Sequence, residues 1–571
     1  MPLDRPSCYR ALTARDARFD GVFFVGVTST RIYCRPVCRA KTPREGNCRF
    51  FSNPAAAERA GFRPCLRCRP ELAPGNAPVD AGAVLAERAT RAIAAGALNG
   101  SSVEALAASL GVTGRHLRRS VVQHLGVSPI ELATTHRLLL AKRLLHETAL
   151  PVGQVAFAAG FDSLRRFNAA FRARYRLTPA TLRREAEATT GDRVGVVGGP
   201  ARRPTRGSER AAEGVTPRRV SGQASTTHPP LATEDGAAAA APDADEVVLT
   251  LDYRPPLHWR ALLDFLAARA APGAESVSEG RYAATVMLPI ALSTDDTVPL
   301  PVGGTASVTG HVVVELRERD ERRARRSATA AAGPARDGLI VARISSSLVP
   351  ALMPLLARLR DLLDLDANPD VIARHLVRAG VVPTVADFAG VRIPGTLDGF
   401  ALAVRAILGQ QVSVRGATTV MGRLVERFGE PYAGTQPSLT RLMPTAERLA
   451  RLTTADIATL GMPGARADAV LALARAVASG GLSLASGGDI GRTIKALTAL
   501  PGIGDWTAHY IAMRALRWPD AFPANDLVLR RVAGNLTAAQ LLKRAESWRP
   551  WRAYAAMHLW RSAADPSPSR S

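Results

Sequence analysis

The sequence predicts a multidomain, mainly α-helical protein with two smaller α+β parts. Three observations carry this. At 571 residues the chain exceeds what one hydrophobic core organises, since domains average roughly 150 residues. Apolar residues recur at three-to-four spacing through 80–186 and again from 350 onward, which is the period of an amphipathic helix. Strand-like apolar runs occur in two separate places: GVFFVGV (21–27) near the start, then VVLTLDY (247–253) and HVVVEL (311–316) past the middle. A hydrophobic content of 47% is enough to fill several cores and excludes wholesale disorder.

The chain divides in order. Residues 1–78 hold all six cysteines, short β-rich runs and turn signals such as GFRPC (61–65). Residues 80–186 are all-α. The stretch 187–244, with GGPARRPTRGSER and DGAAAAAPDADE, has no periodicity and is predicted to be a disordered linker. Residues 246–349 form an α+β segment interrupted by an insert within 291–337 that carries DERRARRSATAAAGPAR. Residues 350–562 are all-α.

Charge narrows the partner. Lys+Arg total 74 against Asp+Glu 50, a net charge of +24. Only Lys41, Lys142, Lys495 and Lys543 are lysines, and the Arg and Ala bias fits a GC-rich genome. The net excess points instead to a polyanion, nucleic acid before any other, the alternative being a merely basic enzyme. No run of 18 apolar residues is present, and MPLDRPSCYR lacks the basic and apolar regions of a secretory signal. A cytoplasmic protein with no membrane partner is expected.

Cys34-x3-Cys38 and Cys65-x2-Cys68 are separated by 26 residues. In a reducing compartment two close pairs suit one tetrahedral Zn2+ with four cysteine ligands better than disulfides. Such a site is usually structural, but a thiolate on zinc stays deprotonated and can act as a nucleophile. RIYCRPVCRAK (31–41) followed by FRPCLRCRPE (62–71) resembles the zinc domain of the Ada methylation-response proteins. That resemblance implies that Cys34 accepts a methyl group from a DNA methylphosphotriester, with Cys38, Cys65 and Cys68 as the other ligands. Methylation takes a centre of four thiolates from two net negative charges to one, which favours approach to phosphates. Cys8 and Cys48 are expected to be bystanders.

Two helix-turn-helix patterns follow: SVEALAASLGVTGRHLRRSVVQHLGVSP (102–129), turning at Gly111, and PVGQVAFAAGFDSLRRFNAAFRARYRLTP (151–179), turning at Gly160 with Asp162/Ser163 as cap. Each second helix carries arginines predicted to face solvent: Arg115, Arg118 and Arg119 in the first, Arg165, Arg166, Arg172 and Arg174 in the second. These suit major-groove and phosphate contacts, the alternative being a helical bundle with a charged exterior. GF-x2-LRRF-x3-F and LTPATLRR resemble the AraC-type DNA-binding domain, which Ada proteins carry directly after the zinc module.

In the last segment LPGIGDWTAHY (500–510) places Gly502 and Gly504 at a tight turn between helices, where backbone N–H groups can grip a phosphate. About twenty residues on, FPANDLVLRRV (522–532) has Asp526 opening a helix. With VRAILGQQVSV (404–414), YRPPLHWRALLDFLAARA, DLDANP, GMPGARADAV and WRPWRAYAAMHLW, these resemble helix-hairpin-helix DNA glycosylases of the AlkA type, 3-methyladenine DNA glycosylase II. The resemblance covers nearly all of 247–562 and implies an α+β AlkA-like N-terminal subdomain before an all-α glycosylase domain.

By that resemblance Asp526 is the catalytic carboxylate, stabilising an oxocarbenium-like sugar or activating water; the alternative is a simple helix cap. Phe265, Trp506, Tyr510, Val528 and Trp560 would line the base pocket. An aromatic cleft attracts a cationic alkylated purine by about 1–2 kcal/mol per good contact, although ordinary core packing would place aromatics there too. Lyase relatives carry a lysine where Trp506 stands, and no lysine lies between 495 and 543, so hydrolysis without backbone cleavage is implied. The base must be flipped out and its place filled; the family's wedge position is Gln411, where the best-known pattern has leucine.

No cysteine follows Cys68 and no Pro-Cys-His-Arg run is present, so direct reversal of O-alkylated bases is excluded. The implied whole is a methylphosphotriester-sensing transcription regulator fused to a glycosylase that hydrolyses the N-glycosidic bond of 3-methyladenine- and 7-methylguanine-type purines. Its partners would be alkylated and promoter double-stranded DNA, with RNA polymerase as a further partner, and its state a monomer. Two rivals are a regulator with an inactive glycosylase half, and an active glycosylase with a purely structural zinc.

Overall fold

The computed structural model describes residues 4–16, 19–70, 73, 84–194, 245–290, 306–318, 338–388 and 390–564. Most of the expected linker, at 195–244, lies outside the described residues, as do 291–305 and 319–337 of the expected insert.

The N-terminal lobe begins with helix Arg5–Thr13, started by the Asp4 side chain, which accepts from the Ser7 amide. Four strands follow: β1 (Phe24–Val27), β2 (Ile32–Cys34), β3 (Cys48–Phe51) and β4 (Arg63–Pro64), in the order β3-β1-β2-β4. β2 and β4 run parallel, with Tyr33 opposite Pro64. The Cys65 amide donates to the Tyr33 carbonyl at 2.9 Å. Parallel pairing thus delivers the ends of both strands, and with them Cys34 and Cys65, to the same place.

The next seven helices make two helix-turn-helix units joined by Pro129–Glu147. In each the turn glycine is left-handed, Gly111 at φ +75° and Gly160 at φ +85°, a conformation that costs glycine little. Thr113 and Ser163 then cap the second helices, Gly114–Leu125 and Leu164–Tyr175. The last helix runs Pro179–Val194, eight residues past the expected start of the linker at 187.

Five strands build the second sheet: β5 (Glu246–Leu251), β6 (Glu275–Ser278), β7 (Arg281–Pro289), β8 (Ser307–Glu318) and β9 (Gly338–Ser345), in the order β5-β9-β8-β7-β6, all antiparallel. This corrects the extent of the insert: 307–318, within the range 291–337 assigned to it, is the central strand. Nine pairs with β7 and seven with β9 hold it there, because VTGHVVVEL is rich in β-branched residues that pack on a pleated surface. Helix Trp259–Ala267 connects β5 to β6.

Helices between Leu352 and Ala564 make up the rest of the described residues, organised around two apolar cores. A third core joins parts that the sequence suggested were independent. Leu144 of the joining helix, Phe167 and Phe171 of the second helix-turn-helix unit and Leu182 of the last helix belong to one buried cluster with Leu249, Val312 and Ile344 of the five-stranded sheet. Polar contacts reinforce the junction: Arg143 Nη2 donates to the Thr250 carbonyl at 2.5 Å, and the Thr250 amide donates to Glu147 at 3.0 Å.

Candidate metal centre, recognition helices and carboxylate site

The Sγ atoms of Cys34, Cys38, Cys65 and Cys68 all lie within 4.8 Å of one another. Tetrahedral zinc with bonds of about 2.3 Å needs sulfur separations of roughly 3.8 Å, so this donor set fits one zinc ion. Cys34, Cys38 and Cys65 are buried and Cys68 is half-buried. The Arg35 amide donates to Cys68 Sγ at 3.3 Å, and buried Lys142 Nζ donates to the Cys65 carbonyl at 3.0 Å. Cys8 is buried in a separate cluster, whereas Cys48 shares the apolar core of Cys34, Cys38 and Cys65 without joining the ligand group, its Sγ donating to the Arg44 carbonyl at 3.4 Å.

Arg115, Arg118, Arg119, Arg165, Arg166 and Arg172 are exposed on the second helices of their units. Arg118 pairs with Glu104, and Arg166 with Asp162 at 2.7 Å. Arg174 is different: it turns to the zinc lobe and pairs with buried Glu58 at 3.3 Å. It is therefore not a solvent-facing arginine. Glu58 also accepts from Tyr33 at 3.0 Å and Thr135 at 2.8 Å, and burial raises its carboxyl above the usual range while Arg174 opposes that rise. One face of the recognition helix is thus spent on holding the zinc lobe.

Gly502 forms the hairpin turn at φ +75°, where a Cβ would sit 2.9 Å from Ala469 Cβ; no other residue fits. Gly504 caps helix Asp505–Arg514, which carries Trp506 and Tyr510 on one side. Their rings stack at 5.2 Å and 8°, and Trp560 meets Tyr510 edge-on at 6.4 Å. Asp526 lies among them. Its Oδ2 accepts from Trp506 Nε1 at 2.9 Å, while its Oδ1 accepts from Trp560 Nε1 at 3.1 Å and the Leu529 amide at 2.9 Å. Asp526 caps helix Leu527–Val532 and also receives two indole N–H groups, so the helix cap does not exhaust its hydrogen bonds.

Phe265 joins this group indirectly. The Arg514 guanidinium is 4.9 Å from its ring centre and 5.5 Å from that of Tyr510, and donates to Tyr510 Oη at 2.8 Å. Arg269 covers Phe265 at 3.7 Å. Burial pushes the Tyr510 phenol up, but Arg514, Arg269 and Arg405 outweigh it and bring it down to about 8. This arginine cluster is absent from the sequence reading: the three residues are scattered, and no spacing joins them. Arg269, Arg405 and Arg514 also border a small cavity that none of Trp506, Tyr510, Asp526 and Trp560 lines; it flanks the aromatic site.

Val528 is half-buried in the first turn after Asp526. Gln411 is exposed and left-handed at φ +56°. Its neighbour Gln410 pins that loop to the hairpin, donating to the Gly502 carbonyl at 2.8 Å and Thr507 Oγ1 at 3.0 Å. Two apolar side chains escaped the sequence reading: Leu527, 75% exposed beside Asp526, and Val412, 43% exposed beside Gln411.

Four family profiles match in order: the metal binding domain of Ada over residues 7–71, a helix-turn-helix domain over 106–185, the AlkA N-terminal domain over 248–398, and the HhH-GPD superfamily of base excision DNA repair proteins over 404–548. A Mycobacterium tuberculosis protein named "Probable bifunctional transcriptional activator/DNA repair enzyme AlkA" is 37% identical over 99% of this chain and 97% of its own length. DNA-3-methyladenine glycosylase 2 of Escherichia coli is 34% identical over 54% of this chain and 96% of its own. The bifunctional transcriptional activator/DNA repair enzyme Ada of the same organism is 46% identical over 11% of this chain and 18% of its own. The chain belongs to the family of bifunctional transcriptional activator/DNA repair enzymes of the AlkA type.

Proposed function

We propose that this protein senses alkylated DNA backbone through its zinc lobe, regulates promoters through its tandem helix-turn-helix units, and excises alkylated purines through its C-terminal half. The observation that carries the enzymatic part is Asp526 held by the indole N–H groups of Trp506 and Trp560, among packed aromatic rings beside the Gly502–Gly504 hairpin.

Cleaving the N-glycosidic bond leaves positive charge on the deoxyribose ring. Asp526, oriented by three N–H donors, places negative charge where that cation develops without reorganising at the moment of reaction. The electron pair of the broken bond leaves with the cationic alkylated base, which departs neutral; water then adds to the sugar carbon and gives up a proton to solvent, and the abasic strand stays intact because Trp506 offers no amine. Trp506, Tyr510 and Trp560 supply π-faces to the flipped base, Phe265 and Val528 complete the pocket, and Gln411 fills the space the base leaves. Gly502 and Gly504 present backbone amides to a phosphate.

At the zinc lobe, Cys34 sulfur attacks the methyl carbon of a methylphosphotriester. The C–O bond breaks, its electron pair stays on the phosphate, and a thioether and a phosphodiester result. Zinc, when bound, keeps the thiol deprotonated. Arg115, Arg118, Arg119, Arg165 and Arg166 contact duplex DNA at promoters, with RNA polymerase as the downstream partner of a monomeric cytoplasmic protein.

The test is release of methylated bases from methylated duplex DNA, with Asp526→Asn alongside the wild type. Release by the wild type, lost in the variant at unchanged DNA affinity, is expected. No release by a folded, DNA-binding wild type reduces the C-terminal half to a binding module. Mass spectrometry of the same incubation reads one added methyl on Cys34; its absence leaves the zinc purely structural.

A further inference from the structure

Arg35 follows Cys34 directly, and its side chain leaves the zinc lobe. Its amide and Nη1 donate to Sγ and the carbonyl of Cys68, both at 3.3 Å. Its Nε donates to Asp20 at 2.9 Å, and its Nη2 pairs with Asp252 at 2.8 Å. Asp252 belongs to the C-terminal half, just past β5. The contact is returned: Arg254 Nε donates to the Asp20 carbonyl at 2.9 Å. Arg35, Asp20, Asp252 and Arg254 are 7%, 4%, 7% and 0% exposed. Four charged side chains have therefore been withdrawn from water at this one junction, which is sustained only while each keeps its partners.

The same segment is tied to the other half of the molecule. Arg254 Nη1 donates to the Asp366 carbonyl at 2.6 Å, and Arg392 Nη2 donates to the carbonyls of Arg254 and Pro256 at 2.6 and 3.0 Å. Helix Trp259–Ala267 starts three residues later and carries Phe265 to the Arg514–Tyr510 pair. A continuous set of buried polar contacts thus runs from the ligand Cys68 to the segment that introduces the aromatic site.

We propose that the four-cysteine centre and the glycosylase half are energetically linked through the Arg35–Asp252 contact, so that the state of the centre sets the stability of the half that performs excision. The inference rests on zinc occupying the centre and needs neither methyl transfer nor base release. When the ligand set loosens, Arg35 loses its anchor on Cys68, and the buried Asp252 loses the ion pair that Arg35 gives it. Linkage is reciprocal: whatever steadies the segment 252–256 also steadies the zinc centre.

The sequence supplies the probe. All six tryptophans lie between Trp259 and Trp560, so intrinsic tryptophan fluorescence reports the C-terminal half and is silent for the zinc lobe. Thermal unfolding of the full chain is followed by this signal, zinc-loaded and after stripping with a chelator. Stripping is expected to lower the wild-type transition by about 3 °C or more, the shift expected from breaking a buried contact in a unit of this size. Asp252→Asn with zinc bound is expected to unfold near the stripped wild-type temperature and to respond little to stripping. Arg254→Gln, which keeps the Arg35–Asp252 pair, serves if Asp252→Asn does not fold, and retains only part of the zinc-dependent shift. An unchanged wild-type transition on stripping overturns the proposal, as does a full zinc-dependent shift in either folded variant. Base release is not read, so failure here leaves the glycosylase reading untouched.

Discussion

The indole N–H of Trp506 donates to Oδ2 of Asp526 at 2.9 Å across a separation of twenty residues. The hairpin turn that sets the start of the tryptophan's helix therefore also sets where the carboxylate points. Trp506 keeps one ring face against Tyr510 while its edge serves Asp526, so stacking and orientation are joined in one side chain. Trp506→Phe keeps a flat ring and removes the donor. A hydrogen bond to a charged group contributes about 1.5–3 kcal/mol, so kcat for base release should fall about 10- to 100-fold, with a smaller change in KM. Single-turnover kinetics on duplex carrying one lesion separates the two.

Tyr510 should be the first tyrosine to ionise. Its phenol titrates near pH 8 under the pull of Arg514, Arg269 and Arg405, whereas burial holds Tyr282 and Tyr554 well above the usual range. A free phenol titrates near 10. Because the folded value is the lower, ionisation contributes stability that is fully present above about pH 10 and is lost as pH falls through about 8. Stability from this group should rise between those values. Ultraviolet tyrosinate absorbance should show one early step near pH 8, missing in Tyr510→Phe; an unchanged early step would assign it elsewhere.

Zinc content should be about one ion per chain, set by the quartet alone. Cys38→Ser or Cys65→Ser should lower bound zinc severalfold by atomic absorption, and Cys48→Ser should retain it. Retention in Cys38→Ser, or loss in Cys48→Ser, would mean a different ligand set.

Arg165 and Arg174 lie on the same recognition helix and should behave differently on promoter DNA. Arg165 is exposed, and Arg165→Ala should weaken binding across sequences and reduce the slope of log affinity against log salt by about 1. Arg174 is engaged with Glu58. Arg174→Ala should leave the salt slope near that of the wild type while lowering the thermal stability of the zinc lobe.

What the chain discloses before folding follows from how far apart the relevant residues lie. The cysteine pairs, the turn glycines Gly111 and Gly160, the Ser163 cap and the Asp526 cap are all local, and each appears where spacing and turn chemistry put it. Of β8 the strand-like HVVVEL (311–316) is legible, while the rest of Ser307–Glu318 is not, because it adjoins two stretches of low periodicity and lies within the bounds 291–337 given to the insert. Arg174 faces Glu58 rather than solvent because the zinc lobe packs there, and no periodicity encodes a neighbour more than a hundred residues away. The Arg35–Asp252 pair and the arginines around Tyr510 were invisible for the same reason. Their partners meet only through the tertiary fold.

The core shared by Phe167, Phe171, Leu249 and Ile344 bears on how the protein comes apart. A protease site engineered into 195–244 would cut the backbone between regulator and enzyme. The two fragments would still bury the same apolar side chains against each other and would co-elute on size-exclusion chromatography under native conditions. Covalent continuity and physical unity are separate properties here, and boundaries drawn for expressing either half should follow the core rather than the connecting segment.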